Sequence, residues 1–219
     1  MLRLYDHRTG RTEPVPGGRG LRVQVIPGAG RRPLVVADLL RRVAQRGGRH
    51  VRLLSTPPAI GDYADYSVAS LEVVAEPLAD ADLYVTAAGT DTDAPCLVVP
   101  AETGTAPPDA AAARLAMLEV PYRDALHLSD ARLAAAAGRL DGWRGKVAEW
   151  ATSPGRPMSR EYAAQAETAL ADDLDSPGAL AVLDRVAADE NVPPGARLET
   201  FIHLDMVLAL GLVAAIGTA

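Results

Sequence analysis

The sequence predicts an α/β fold: a parallel-sheet domain over residues 1–108, followed by an α-helical bundle over residues 109–219. Three observations carry this. A strand, a helix and a second strand succeed one another within Leu21–Leu54, the crossover unit that makes two strands parallel. Short apolar runs at Asp82–Ala87 and Cys96–Val99 supply further strands. From Asp109 onward the strand signals stop and apolar residues recur at helical spacing.

The elements follow in order. Leu2–Tyr5 alternates as a short strand, and Gly17-Gly18-Arg19-Gly20 makes a turn. Leu21–Ile26 is a strand with Leu21, Val23 and Val25 on one face, broken by Pro27-Gly28-Ala29-Gly30. Val36, Leu39, Leu40 and Val43 mark a helix that Gly47-Gly48 stops, and His50–Leu54 is the next strand. Ser67–Ala75 reads as a helix, and Gly89–Asp93 as a polar loop. In the second half Asp109 and Ser129 are helix N-caps, Ser153–Pro157 is a linker, Ser159 caps a third helix, Ser176-Pro177 opens a fourth and Pro193-Pro194-Gly195 precedes the last. Trp143 and Trp150, seven residues apart, share one helix face and read as core.

Composition narrows the chemistry. Hydrophobic residues make up 48% of the chain, ordinary for a globular protein, and the net charge is −6 with no basic block, which argues against nucleic acid as a partner. Lys146 is the only lysine, so the usual lysine contacts to phosphate and Schiff-base chemistry are missing. A single cysteine, Cys96, and four scattered histidines leave neither an internal disulfide nor a zinc motif, so no metal is expected. Cys96 opens an apolar strand and reads as a buried hydrophobe. The longest apolar run, Met206–Ile216, is short of the ~20 residues of a membrane span. With no secretory signal evident, a cytoplasmic location without membrane attachment is expected.

Two groups of residues are candidates for ligand contact. Gly28, Gly30, Arg31 and Arg32 lie between a strand and a helix, where glycines admit an anion and a helix N-terminus offers N–H donors. Either arginine would add a phosphate contact. The competing reading is a tight turn, because Pro33 stands where a dinucleotide fingerprint wants glycine. Asp62, Tyr63, Asp65 and Tyr66 follow the next strand, toward the ligand crevice of an open parallel sheet, against the plainer reading of an Asp-rich turn. Asp91 and Asp93 offer too few oxygens for a hard cation, and Asp172, Asp173 and Asp175 read as capping and dipole-offsetting groups.

Three stretches resemble cysteinyl-tRNA synthetase and its relative, the cysteine ligase of mycothiol biosynthesis. They are Leu2–Asp6 with Arg11–Pro14; Val35–Arg42 with Gly48–Arg52; and, most specifically, Ala113–Leu118, Tyr122-Arg123-Asp124, Leu128–Leu133, Arg139–Arg144 and Ala169–Leu180. The resemblance implies a Rossmann-like class I synthetase fold that activates cysteine with ATP. It further implies a His-x-Gly-His signature, a Lys-Met-Ser-Lys-Ser loop and a zinc that grips the substrate thiol. This chain departs from all three: it reads Pro27–Pro33 where the histidines belong, Pro100–Thr105 where the lysine loop belongs, and Val25-Ile26-Pro27 where a zinc-ligand cysteine belongs. It is also far shorter, without most of the insertion that builds the zinc site, and with these motifs missing no catalytic residue carries over.

Two functions follow from that resemblance. One is a catalytically degenerate relative that binds a small nucleotide, adenylate-like or amino-acid ligand, or a protein partner, without ligation. The other is a divergent ATP-dependent amino-acid ligase with a site rebuilt on Arg31 and Arg32. No motif requires a cofactor; ATP or an adenylate is the candidate small molecule. The last helix carries apolar residues on more than one face, from Phe201 to Val213, so either a homo-oligomer or protein partner through this helix, or burial in its own bundle, is expected.

Overall fold

The computed structural model describes the chain except for residues 16, 17, 27, 29, 57–62, 90, 91, 93, 106, 218 and 219. β1 (Arg3–Asp6) and β2 (Arg11–Pro14) form an antiparallel hairpin. β3 (Gly20–Val25), α1 (Arg32–Arg46) and β4 (His50–Ser55) form the crossover unit, and the two strands are parallel, Leu21 against Val51 and Val25 against Ser55. β5 (Glu72–Val73), β6 (Leu83–Thr86) and β7 (Cys96–Val98) complete a parallel sheet of order β5-β4-β3-β6-β7. Chain connections leave β3 for β4 on one side and reach β6 on the other. The strand ends of β3 and β6 therefore flank the switch point where open α/β sheets bind ligands.

The central strand is apolar because it is covered on both faces: Leu21, Val23 and Val25 are buried, and the buried amide of Gln24 is satisfied by Leu54 O and by Leu78 N. Pro33 sits in the first turn of α1, where its missing N–H costs nothing, and Val35, Val36, Leu39 and Leu40 are buried in the core.

The helix expected at Ser67–Ala75 is absent. A single 3-10 turn at Ala64–Tyr66 ends at Ser67, whose φ of 56° is left-handed, and Glu72–Val73 instead pairs with β4 as an edge strand. The β-branched pair Val73-Val74 beside an unfilled sheet edge outweighs helical spacing there.

The second half is helical. After β8 (Thr103–Gly104), α2 (Ala110–Leu118) is capped by Asp109, which accepts from Ala111 N and Ala112 N at 2.8 and 3.1 Å. β9 (His127–Leu128) pairs in parallel with β8, a contact that sequence spacing did not suggest. α3 (Asp130–Trp150) is capped by Ser129, and α5 (Ser176–Ala188) by Asp175, which accepts from Gly178 N at 2.9 Å. α4 (Arg160–Ala171) has Ser159 at its cap position, but that side chain makes no capping bond. Asp173 accepts from Tyr5 N and the Tyr122 hydroxyl, and so ties the hairpin to the bundle.

α6 (Pro194–Leu208) ends at Ala209, left-handed at φ 54°. Phe201 lies between Trp143 and Trp150, edge-on with centroids 6.4 and 5.2 Å away. Leu204, Val207 and Leu208 are buried as well, and only Met206, Val213 and Ile216 of this region are large exposed apolar residues. Burial within its own chain thus accounts for most of the apolar character of α6. Among the described residues no helix is long and apolar enough to cross a membrane.

The halves share one apolar core, which runs from Leu39 and Leu40 of α1 through Leu115 of α2 to Leu204 and Leu208 of α6. A buried ionic hub lies within it. Asp38 of α1 pairs with Arg114 of α2 at 3.0 Å, Arg41 at 2.6 Å and Arg42 at 2.8 Å. Arg114 also donates to Leu208 O and Tyr66 O, so α1, α2, α6 and the 3-10 turn meet at one guanidinium. Burial pushes the Asp38 carboxyl up, but the three guanidiniums outweigh it and hold the group below the ordinary carboxylate range. Burial pulls Arg114 down to about 10, which leaves it charged at neutral pH.

Candidate functional site at the head of α1

The loop after β3 delivers Gly28, Gly30 and Arg31 to the switch point. Gly28 lies against Ala87 at the end of β6, where a Cβ would come within 2.8 Å of the Ala87 Cβ. The two strand ends are therefore in close contact, and glycine is required at 28. Gly30 has φ +104°, which a side chain would strain, and a Cβ there would meet the Glu102 carboxylate at 2.6 Å.

Glu102 is the central feature of this site. Its carboxylate accepts from Arg31 N at 2.8 and 2.9 Å and from Arg32 N at 2.9 Å. These are the first N–H groups of α1, the donors that a helix N-terminus offers to a phosphate. α1 has no cap of its own, since Arg31 at the cap position makes no side-chain capping bond; Glu102 supplies one from 71 residues away. Its side chain is 7% exposed, with the Arg31 guanidinium 3.8 Å from it.

The segment that carries Glu102 is fixed at its far end. Thr103 N donates to Leu126 O at 3.0 Å and Thr105 N to Leu128 O at 2.9 Å, while Thr103 Oγ1 meets His127 Nδ1 at 3.1 Å. Gly104, at φ +103°, passes so close to the Leu128 carbonyl that a side chain would collide. The same segment stands where the resembled family carries its lysine loop.

The two arginines have separate fates. Arg31 remains at the crevice, 42% exposed, with its guanidinium 5.5 Å from the centre of the Tyr66 ring. Arg32 is fully buried and turns into the chain interior, where it donates to the carbonyls of Val120, Pro121 and Asp124. Burial pulls it down to about 10, and among the described residues its Nε finds no acceptor. Arg32 therefore serves as a clamp between α1 and the loop after α2. Tyr63 is half-buried beside this crevice, and burial raises its phenol and that of Tyr66. Asp62, Asp91 and Asp93 lie outside the described residues. Cys96 is fully buried in β7.

Sequence reasoning missed Glu102. A lone glutamate in a Pro- and Thr-containing connector has no spacing relation to Arg31, and only the fold brings them together. The one available signal was that α1 begins without a Ser, Thr, Asp or Asn cap, so its donors required a partner from elsewhere.

No family model matches the chain. Among curated proteins it is 43% identical over 97 residues to the L-cysteine:1D-myo-inositol 2-amino-2-deoxy-alpha-D-glucopyranoside ligase of Kytococcus sedentarius, covering 42% of this chain and 22% of that protein. It is 42% identical over 87 residues to the ligase of the same name from Streptomyces griseus, covering 40% of this chain and 20% of that one. The corresponding Parafrankia protein is 45% identical over 80 residues, covering 36% and 17%. The chain is a partial relative of these cysteine ligases. It spans about a fifth of the length of the curated relatives it matches.

Proposed function

We propose that this cysteine-ligase-like protein binds without ligating: it forms no adenylate, and no phosphate occupies the head of α1. The supporting observation is the Glu102 carboxylate on the backbone N–H groups of Arg31 and Arg32. A triphosphate entering there would have to displace a carboxylate from its donors, or else bring like charge against it. Adenylate formation also requires donors that tighten on the transition state, and the loss of one such donor costs on the order of 2.7–4 kcal/mol. Here neither histidine nor lysine lies in residues 28–33 or 100–105, and Arg32 is committed to backbone carbonyls. Of the occupants open to the protein, an adenylate-like molecule at this crevice is disfavoured, and a ligand or protein partner engaged elsewhere is favoured.

The test is cysteine-dependent exchange of labelled pyrophosphate into ATP, with calorimetry of ATP alone. We expect no exchange and no saturable heat. The second reading, a ligase rebuilt on Arg31, requires exchange that is lost in Arg31→Ala, and that outcome would overturn the proposal.

A further inference from the structure

The opposite end of α1 is open. A cavity of about 680 Å³ lies between the last turns of α1, the residues flanking the hairpin, α4 and α6. That volume falls within the range of small-molecule sites. Its walls are apolar: Leu2, Val15, Val43, Ala44, Leu170 and Val207. The charged groups that line it are Arg46, Arg49, Glu167 and His203, so two arginines face one carboxylate.

Arg46, His203 and Glu167 are in a conflict that their own contacts do not resolve. His203 Nε2 lies 2.7 Å from Arg46 Nη2 and 2.8 Å from Glu167 Oε1. A neutral ring that accepts from Arg46 at this nitrogen has no proton there for Glu167. A ring that donates to Glu167 presents an N–H to the guanidinium, and two donors then face each other. Arg46 Nη2 also donates to His203 O at 3.1 Å, while its Nε and Nη1 make no hydrogen bond to a described residue.

We infer that this cavity is a binding site for a small carboxylic acid with a compact apolar body, its carboxylate held by Arg46 at the rim and its hydrocarbon against Val43, Ala44, Leu170 and Val207. A ligand carboxylate accepts from the unused edge of Arg46 and draws the guanidinium off the ring nitrogen. His203 is then left to donate to Glu167, and Arg46, His203 and Glu167 each have a partner of the correct sense. The unused edge of the Arg46 guanidinium selects an anion, and the apolar walls exclude a strongly hydrated one such as inorganic phosphate.

The site is independent of whether ligation occurs at the other end of α1, so its test is separate. Octanoate and octanol are titrated into the full chain and followed by calorimetry and by amide NMR. We expect saturable octanoate binding that shifts the signals of α1 residues 43–46 and of His203, with octanol about tenfold weaker or worse. Arg46→Gln, at an exposed position, is expected to reduce octanoate to the level of octanol and leave octanol unchanged. Ala171→Trp, at a half-buried lining position, is expected to block both, with far-UV circular dichroism reporting that the fold is kept. Absence of octanoate binding, or equal binding of acid and alcohol that ignores Arg46→Gln, overturns the inference.

Discussion

The two ends of α1 have opposite fates. At the N-terminal end, the feature most suited to hold an anion has been filled by the chain itself: Glu102 takes the donors of Arg31 and Arg32, and the Gly28–Ala87 contact brings the two strand ends together. At the C-terminal end, apolar walls and an unresolved Arg–His–Glu contact surround an open cavity. The comparison shows that a motif-like loop is no guide to ligand binding until its donors have been accounted for. A helix N-terminus is an anion site only if no internal anion has reached it first.

The largest expected effect comes from the buried hub midway along α1. Arg114→Ala leaves Asp38 without its buried partner and removes the donor to Leu208 and Tyr66, so a loss of about 3–5 kcal/mol is expected in denaturant unfolding. The same hub sets an acid limit. Because the Asp38 carboxyl is lowered in the folded state, its stabilisation is complete above the unfolded-state value of ~3.9 and is lost as pH falls below that through the folded-state value. Denaturant midpoints measured against pH should therefore fall below about pH 4 more steeply in the native protein than in Asp38→Asn.

Next in size is Glu102→Ala, which separates the two ends. It removes the cap of α1 at a cost of about 1–2 kcal/mol. It should also open the Arg31 and Arg32 amides to pyrophosphate while leaving octanoate binding at the far end unchanged. Asp175→Ala removes the cap of α5 and should cost about 1 kcal/mol while altering neither end of α1. Met206→Ala, on the exposed side of α6, should change stability by no more than about 0.5 kcal/mol, and sedimentation should show whether this surface supports a dimer.

Much of the fold was legible because local signals and burial agree. Leu21, Val23 and Val25 mark the central strand, Val36, Leu39 and Leu40 mark α1, and Asp109, Ser129 and Asp175 act at helix starts through short-range bonds. Ser67–Ala75 was misread because an edge strand of two residues depends on a neighbour, β4, that spacing does not reveal. The β8–β9 pair was invisible for the same reason. At the candidate site Gly28, Gly30 and Arg31 lie at the strand–helix turn, but the direction of Arg32 and the arrival of Glu102 are long-range facts. The cavity at the other end brings together residues flanking the hairpin and residues of α1, α4 and α6, and no motif could have announced it.

The most direct measurement is an amide NMR titration of the full chain with inorganic pyrophosphate, followed at the Arg31 and Arg32 backbone N–H signals in the native protein and in Glu102→Ala. The expected result is that both signals stay fixed in the native protein, because Glu102 holds them, and move saturably once the carboxylate is removed. Saturable shifts of the two amides in the native protein, equal to those in Glu102→Ala, would contradict a closed head of α1 and restore the nucleotide site.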